Sequence, residues 1–538
     1  MTLRFRPALF STVLLSLAAA IALQPVAAAP PSGEARGKAW WAHVQAIAND
    51  GMEGRMAGSP GYARAADYVI GQLKAIGLKP AGVDGFRQPV ELVEQRFDFA
   101  NSRAALFGPA GDVGLSMPDD FYVRGSQPMP ETIDAPMIFL GYGLSIPEAG
   151  HDDFAGVDVK GKVVVLLAGG PTEISGALKS NARSEASRIL VARGALGVIG
   201  LTTPAKVEIP WARQILIARA ASMGFADPTI NNFPSPFMSG SIDPAKAEAL
   251  FAGSGHSFAE LSALSDASKP LPSFALAQRF RATIVAKKAP VHSFNIIAKL
   301  PGSDPKLAAE NVVLSAHLDG LGIGEPIDGD PIYNGALDNA SGVASLIEIA
   351  KVLKAGKAPK RTILFTIVTG EEKGLLGSRY FARRPTVPKA SLVADLNFDM
   401  ALPIFALKNV TPLGYGESTL GIDAAAVAKD MGMAILPDPF PDRNTFTRSD
   451  QFSFIREGIP ALFFKYGFTA GTPEAAIEKA WRANIYHSPK DDLNQPVMPV
   501  EAVKLDDYVA ALATRVANAP DRPHWNADSF FKRFATSP

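Results

Sequence analysis

Four short clusters between residues 311 and 400 carry residue types that can do chemistry. They are Ser315-Ala-His317-Leu-Asp319, Asn334-Gly-Ala-Leu-Asp338-Asn-Ala-Ser-Gly342, Thr369-Gly-Glu371-Glu372-Lys-Gly374 and Asn397-Phe-Asp399-Met400. One imidazole and several carboxylates offer nitrogen and oxygen donors of the kind that hold borderline metals such as zinc. Each cluster ends or follows an apolar run that reads as a strand. Strands of a parallel sheet deliver their carboxyl ends to one edge, where ligand sites form.

Each cluster also has a plainer reading. His317 and Asp319, two apart at a strand end, can form a hydrogen-bonded structural pair, or one can bind metal while the other orients it. Asp338 opens a helix, where an aspartate serves as an N-cap; its two oxygens could instead bridge two cations. Glu371 and Glu372 leave an apolar strand together, which fits a surface turn, or a metal on one with the other free as a proton shuttle. Asp399 repeats that arrangement. His487, in Tyr486-His487-Ser-Pro489, reads on its own as a surface histidine.

The elements that must position these clusters follow from apolar periodicity. Helices are expected over 38–48, 62–76, 342–353, 375–381 and 502–516, and buried strands over 311–316, 361–368, 392–398 and 461–464. Strand–helix alternation predicts an α/β fold: a mixed, mostly parallel central sheet with helices on both faces. The pattern changes at about residue 135 and resumes at about 286, so 135–285 reads as an inserted β-rich α/β domain. The expected catalytic domain is therefore discontinuous, 38–134 and 286–518, followed by a polar, loosely held tail over 519–538. Phe440, Phe446, Phe452 and Phe454 can pack the core or line an apolar pocket.

The chain has 538 residues with 53 Lys+Arg against 53 Asp+Glu, so no basic excess points to nucleic acid or an anionic membrane. It contains no cysteine, which removes thiolate ligands, cysteine nucleophiles and disulfides. Arg4 and Arg6, the apolar run Ala8 to Leu23 and the small residues Val26-Ala27-Ala28 read as an export signal over 1–28 cleaved after Ala28. An exported protein, periplasmic or extracellular and without a stable span after cleavage, is expected. Gly156-Val-Asp-Val-Lys-Gly161-Lys162 lacks the Ser or Thr of a phosphate loop, and neither a His-Glu-x-x-His helix nor a Gly-x-Ser-x-Gly elbow occurs.

Taken together the clusters resemble the two-zinc aminopeptidase family, whose relatives include glutamate carboxypeptidase, transferrin receptor and glutaminyl cyclase. The likeness covers about 38–130 and 290–515 and includes Arg448-Ser-Asp450 and Tyr486-His-Ser-Pro; the insert resembles a protease-associated domain. The resemblance implies two zinc ions per chain, one on His317, Asp338 and Asp399, the other on Asp338, Glu372 and His487. It implies Glu371 as general base, Asp319 as the group orienting His317, Tyr486 as an oxyanion partner and Arg448 near the substrate. Leu337 and Gln451 depart from the residues common in the family, which also often has a cis bond after the bridging aspartate, here Asp338–Asn339. The implied reaction is hydrolysis of peptide bonds at a free amino terminus. A carboxypeptidase or dipeptidase of the same family and an inactive receptor-like binding protein are the alternatives.

Overall fold

The computed structural model describes residues 1, 2 and 33–535, except 110, 126, 127, 208, 231–234 and 444. The export segment expected over 1–28 lies outside the described residues, apart from Met1 and Thr2. Among the described residues no helix is long and apolar enough to cross a membrane.

A nine-stranded mixed sheet forms the larger unit. Its strands run in the order Ser222–Phe225, Arg87–Phe97, Ala286–Leu300, Thr362–Val368, Asn311–His317, Leu392–Asn397, Ala461–Gly467 and Asn409–Leu413, with Lys79–Pro80 on the side. Parallel pairing is confined to the four central strands from 362–368 to 461–467; the outer ones pair antiparallel. Every residue of Asn311–His317, Thr362–Val368 and Leu392–Asn397 is buried, as expected where helices cover both faces. The helices Gly33–Ala48, Pro60–Ile76, Ser341–Ala355 and Pro499–Asn518 supply apolar faces to one continuous core with these strands. Local chemistry sets their ends. Ser59 accepts a hydrogen bond from the Tyr62 amide and Pro60 opens the helix, while Gly77 closes it at φ 84°.

The second unit is an eight-stranded sheet with its own apolar core. It begins earlier than the sequence suggests. Arg103–Phe107, Val113–Leu115 and Phe121–Val123, expected in the first block, pair within this second sheet. The chain leaves the large sheet after Phe97 and re-enters at Ala286, two residues that are paired with each other, so the junction lies near 98 and 285 rather than at 135. Three- and five-residue strands carry too little periodicity to reveal which sheet they join. One strand of the insert, Ser222–Phe225, returns to extend the large sheet beside Arg87–Phe97.

The tail also departs from expectation. Trp525, Phe530 and Phe531 are buried in a cluster with Ile455 and Ala461, and the Trp525 indole donates to the Gly458 carbonyl at 3.0 Å. Its polar composition concealed aromatics spaced by turns rather than by a helical or strand period. Phe531→Ala should lower the unfolding free energy by about 3–5 kcal/mol, read as a shift of the urea midpoint; an unchanged midpoint would mean the tail is only loosely held.

Candidate metal centre

The three parallel strands 362–368, 311–317 and 392–397 end at one edge, with His317 in register with Val368. That register brings His317, the Glu371–Glu372 turn and Asp399 together. Asp338 arrives from the loop that opens the helix Ser341–Ala355. Gly335 turns this loop at φ 60°, and a Cβ there would stand 2.3 Å from the Asp338 carbonyl oxygen. The Asp338–Asn339 peptide is cis. Asn339 secures it: its Nδ2 donates to the Phe398 carbonyl at 2.8 Å, and its Oδ1 accepts from the amides of Gly342 at 3.0 Å and Met400 at 3.4 Å.

His317 Nε2 lies 3.3 Å from Asp338 Oδ1 and 3.6 Å from Asp399 Oδ1. His487 Nε2 lies 3.3 Å from Asp338 Oδ2 and 3.3 Å from Glu372 Oε2. Two donor triads result, His317–Asp338–Asp399 and Asp338–Glu372–His487, each with its ligand atoms within 4.8 Å of one another. Asp338 turns one oxygen to each. His317 Nε2 and Asp399 Oδ1 are buried without a hydrogen-bond partner, a costly condition that a cation between them would relieve. Both triads therefore fit a borderline cation such as zinc.

The electrostatics follow from crowding. Burial favours neutral imidazole at His317, but Glu371, Asp338 and Asp399 overcome it and raise the ring well above the ordinary histidine range. At His487 burial is likewise outweighed, by Glu372 and Asp338, which lift it to about 9. The same two histidines pull Asp338 far down against its own burial. Glu371 is largely buried, and burial with Asp399 and Glu372 nearby pushes its carboxyl well up, against the pull of His317. Asp450, fully buried below the centre, is pushed to about 7 by burial.

Asp319 reaches His317 through its main chain: His317 Nδ1 faces the Asp319 carbonyl oxygen at 3.1 Å, with the carboxylate at 3.8 Å. The Asp319 carboxylate instead accepts from the Glu371 amide at 3.1 Å and the Glu372 amide at 3.3 Å, fixing the turn that carries both glutamates. Tyr486 is buried and stacks on the His487 ring at 3.7 Å; burial drives its phenol well up. Arg448 is exposed and donates to the Arg443 carbonyl at 3.2 Å, close enough to Tyr486 to bear on its charge. Gln451 accepts from Asn397 Nδ2 at 2.8 Å, and Leu337 is fully buried.

Two further residues hold the site and were not singled out by sequence. Asp491, four residues beyond His487, accepts from the amides of Leu337 and Asp338, each at 2.9 Å. Arg55, fully buried, donates to the carbonyls of Leu318 at 2.8 Å, Gly335 at 2.9 Å, and Asn334. Burial lowers its pKa to about 10, opposed by Asp319, Asp491, Asp338 and Glu372. A pocket open to solvent is walled by Met400, Leu402, Phe405, Leu413, Phe440 and Phe468. Of the aromatic stretch only Phe440 faces it; Phe454 packs on Phe381, and Phe446 on Phe531.

Residues 295–513 match the family model described as Peptidase family M28. A "Probable zinc metalloprotease" of Pyrenophora tritici-repentis is 39% identical over 112 residues, 21% of this chain and 25% of the relative. A "Probable leucine aminopeptidase 2" of Aspergillus fumigatus is 29% identical over 245 residues, 43% of this chain and 46% of the relative. The chain thus spans less than half the length of these curated relatives. Among solved structures, an aminopeptidase from Aneurinibacillus sp. strain AM-1 shares the fold at TM-score 0.52 and 19% identity, covering 92% of this chain and 97% of that one.

A ligating imidazole must be neutral. Zinc uptake at pH 7 should therefore release a proton from His487, whose pKa lies at about 9, and one from His317. Affinity should rise with pH towards that value and fall on acidification by about tenfold per unit for each proton released. Calorimetry in buffers of different ionisation enthalpy measures this, and uptake without proton release would contradict it. Asp491→Asn should weaken zinc binding by about 10–100-fold, since an amide accepts through one oxygen only; equal affinity in competition with a chelator would remove Asp491 from the site.

Proposed function

We propose, for a chain whose residues 295–513 match the model of peptidase family M28, a zinc-dependent aminopeptidase that cleaves peptides at their free amino terminus. The observation that carries this reading is Asp338, whose two oxygens serve two separate donor triads. Two zinc ions held by His317, Asp338 and Asp399 and by Asp338, Glu372 and His487 would lower the pKa of a water and polarise the scissile carbonyl.

The chain's own residues do the rest. Glu371 is spared from both triads, and cations on Asp399 and Glu372 would offset the charges that raise its carboxyl, leaving a carboxylate free to take the water proton and pass it to the leaving amine. Asp319 holds the Glu371 and Glu372 amides, so base and ligand keep a fixed relation. Tyr486, stacked on His487, offers a phenol O–H kept protonated by burial, suited to donate to the developing oxyanion. Arg448, exposed near Tyr486, would meet substrate rather than metal. The substrate amine would lie by the carboxylate-rich edge. The basic–apolar–small pattern of residues 1–28 supports export to the periplasm or beyond.

Glu371→Gln should retain zinc and lose on the order of 10²–10⁴ in turnover. Chelation should abolish hydrolysis of aminoacyl-anilides and added zinc should restore it. Near-normal turnover by the zinc-loaded variant would sink the role of Glu371; hydrolysis indifferent to chelation would sink the metal reading.

A further inference from the structure

We infer that the carboxy-terminal tail and the inserted unit together position the segment 445–452, which carries Arg448, through a junction of Glu185, Arg456 and Phe534. The inference deepens the aminopeptidase reading above and rests on it, because that reading sets Arg448 against substrate.

On its inner side the segment is held by one amide side chain. Gln451, fully buried, donates from Nε2 to the Phe446 carbonyl at 2.7 Å and accepts from Asn397 Nδ2 at 2.8 Å. Asn397 Nδ2 also donates to Ser449 Oγ at 3.0 Å. Arg448 itself is exposed, with a hydrogen bond to the Arg443 carbonyl at 3.2 Å, so its place follows that of the main chain that carries it.

On its outer side the segment is covered by two stretches of chain remote in sequence. From the insert, the helix Gly176–Ala192 brings Leu178 into an apolar cluster with Phe446, Phe452 and Ile455. From the tail, Phe531 packs edge-on against Phe446 at 5.4 Å between ring centres. Arg456, just past the helix Gln451–Ile455, joins all three. Its guanidinium pairs with Glu185 of the insert helix and lies over the rings of Phe534 at 4.7 Å and Phe452 at 5.9 Å. The side chains of Arg456 and Glu185 are only 17% and 14% exposed, so solvent and salt screen this pair far less than a surface pair. Arg533 pairs with Glu148 and ties tail to insert directly, but both are well exposed and this contact counts for less.

The junction has leverage because of where it lies. The insert is already tied to one edge of the large sheet, by Ser222–Phe225 beside Arg87–Phe97. The segment 445–452 leads into Ala461–Gly467, next to the opposite edge. The tail therefore fixes the insert at the second of two distant points, and that second point is the outer cover of the Arg448 segment.

Phe534→Ala removes the ring beneath the guanidinium, and Glu185→Gln removes the charge opposite it. Neither residue belongs to either donor triad. In the zinc-loaded full chain each should raise KM for an aminoacyl-anilide by about 3–30-fold, with kcat and zinc content held within about twofold. Phe534→Tyr keeps the ring and should behave like the unaltered chain. Hydrogen exchange gives a readout that needs no substrate. The amides of Arg448 and Phe452, which close turns onto the carbonyls of Thr445 at 3.3 Å and Ser449 at 3.0 Å, should exchange faster in both variants. A loss confined to kcat, as from a smaller folded fraction, or a KM unmoved in both variants would overturn the positioning role and leave the aminopeptidase reading standing. An unaltered chain that cleaves no anilide would overturn that reading, and unchanged exchange in the variants would then overturn the positioning role as well.

Discussion

Asp338 is one carboxylate asked to face two ways, and the surrounding structure is arranged to let it. Its oxygens lie 3.3 Å from His317 on one side and 3.3 Å from His487 on the other. A side chain with that double duty cannot be steered by its own rotamer. The main chain is fixed instead: Asp491 holds the amides of residues 337 and 338, Asn339 ties the loop to residues 398–400, and Arg55 gathers the carbonyls of 334 and 335. Backbone groups are the common currency because the donor atoms must stay uncommitted.

Arg55 also answers a charge problem. Asp319, Asp338, Glu372 and Asp491 all act on it, within a region where burial penalises every unpaired carboxylate. A guanidinium spends its forked donors on carbonyls while its charge serves acids it does not touch. The residue comes from the segment between the first two helices, so the amino-terminal block is a structural part of the site and not merely a cover for the sheet. Lys465 does the corresponding work on the opposite side, binding the carbonyls of Asp399 and Met400.

Much of this was legible in the chain, and the limits have physical reasons. His317, Asp338, Glu371, Glu372 and Asp399 each sit at the end of an apolar run, a pattern that strand register turns directly into proximity. His487 carried no such signal and was reachable only through the Tyr-His-Ser-Pro turn. Arg55 and Asp491 act through main-chain atoms, which no side-chain pattern encodes. The Asp319 carboxylate illustrates the same limit: its spacing from His317 suggested a partner, but its oxygens went to the amides of 371 and 372. Sheet membership was legible for long buried strands and not for Arg103–Phe107 or Phe121–Val123, whose few residues alternate in either sheet equally well. The docked tail was missed because Trp525, Phe530 and Phe531 follow turns rather than a period.

The neck between the two units has a kinetic meaning. Phe97 and Ala286 are neighbours in space, yet the whole second sheet lies between them in sequence. Unfolded, a segment of that length must close a very wide loop before Arg87–Phe97 can zip onto Ala286–Leu300, and distant pairings of this sort slow folding. Folded, the insert ends in two adjacent antiparallel strands and presents both ends side by side. It then acts as a preformed clasp, shortening the effective separation to that of a hairpin. The insert, which supplies no side chain to either donor triad, thereby governs how readily Arg87–Phe97 and Ala286–Leu300 can find each other.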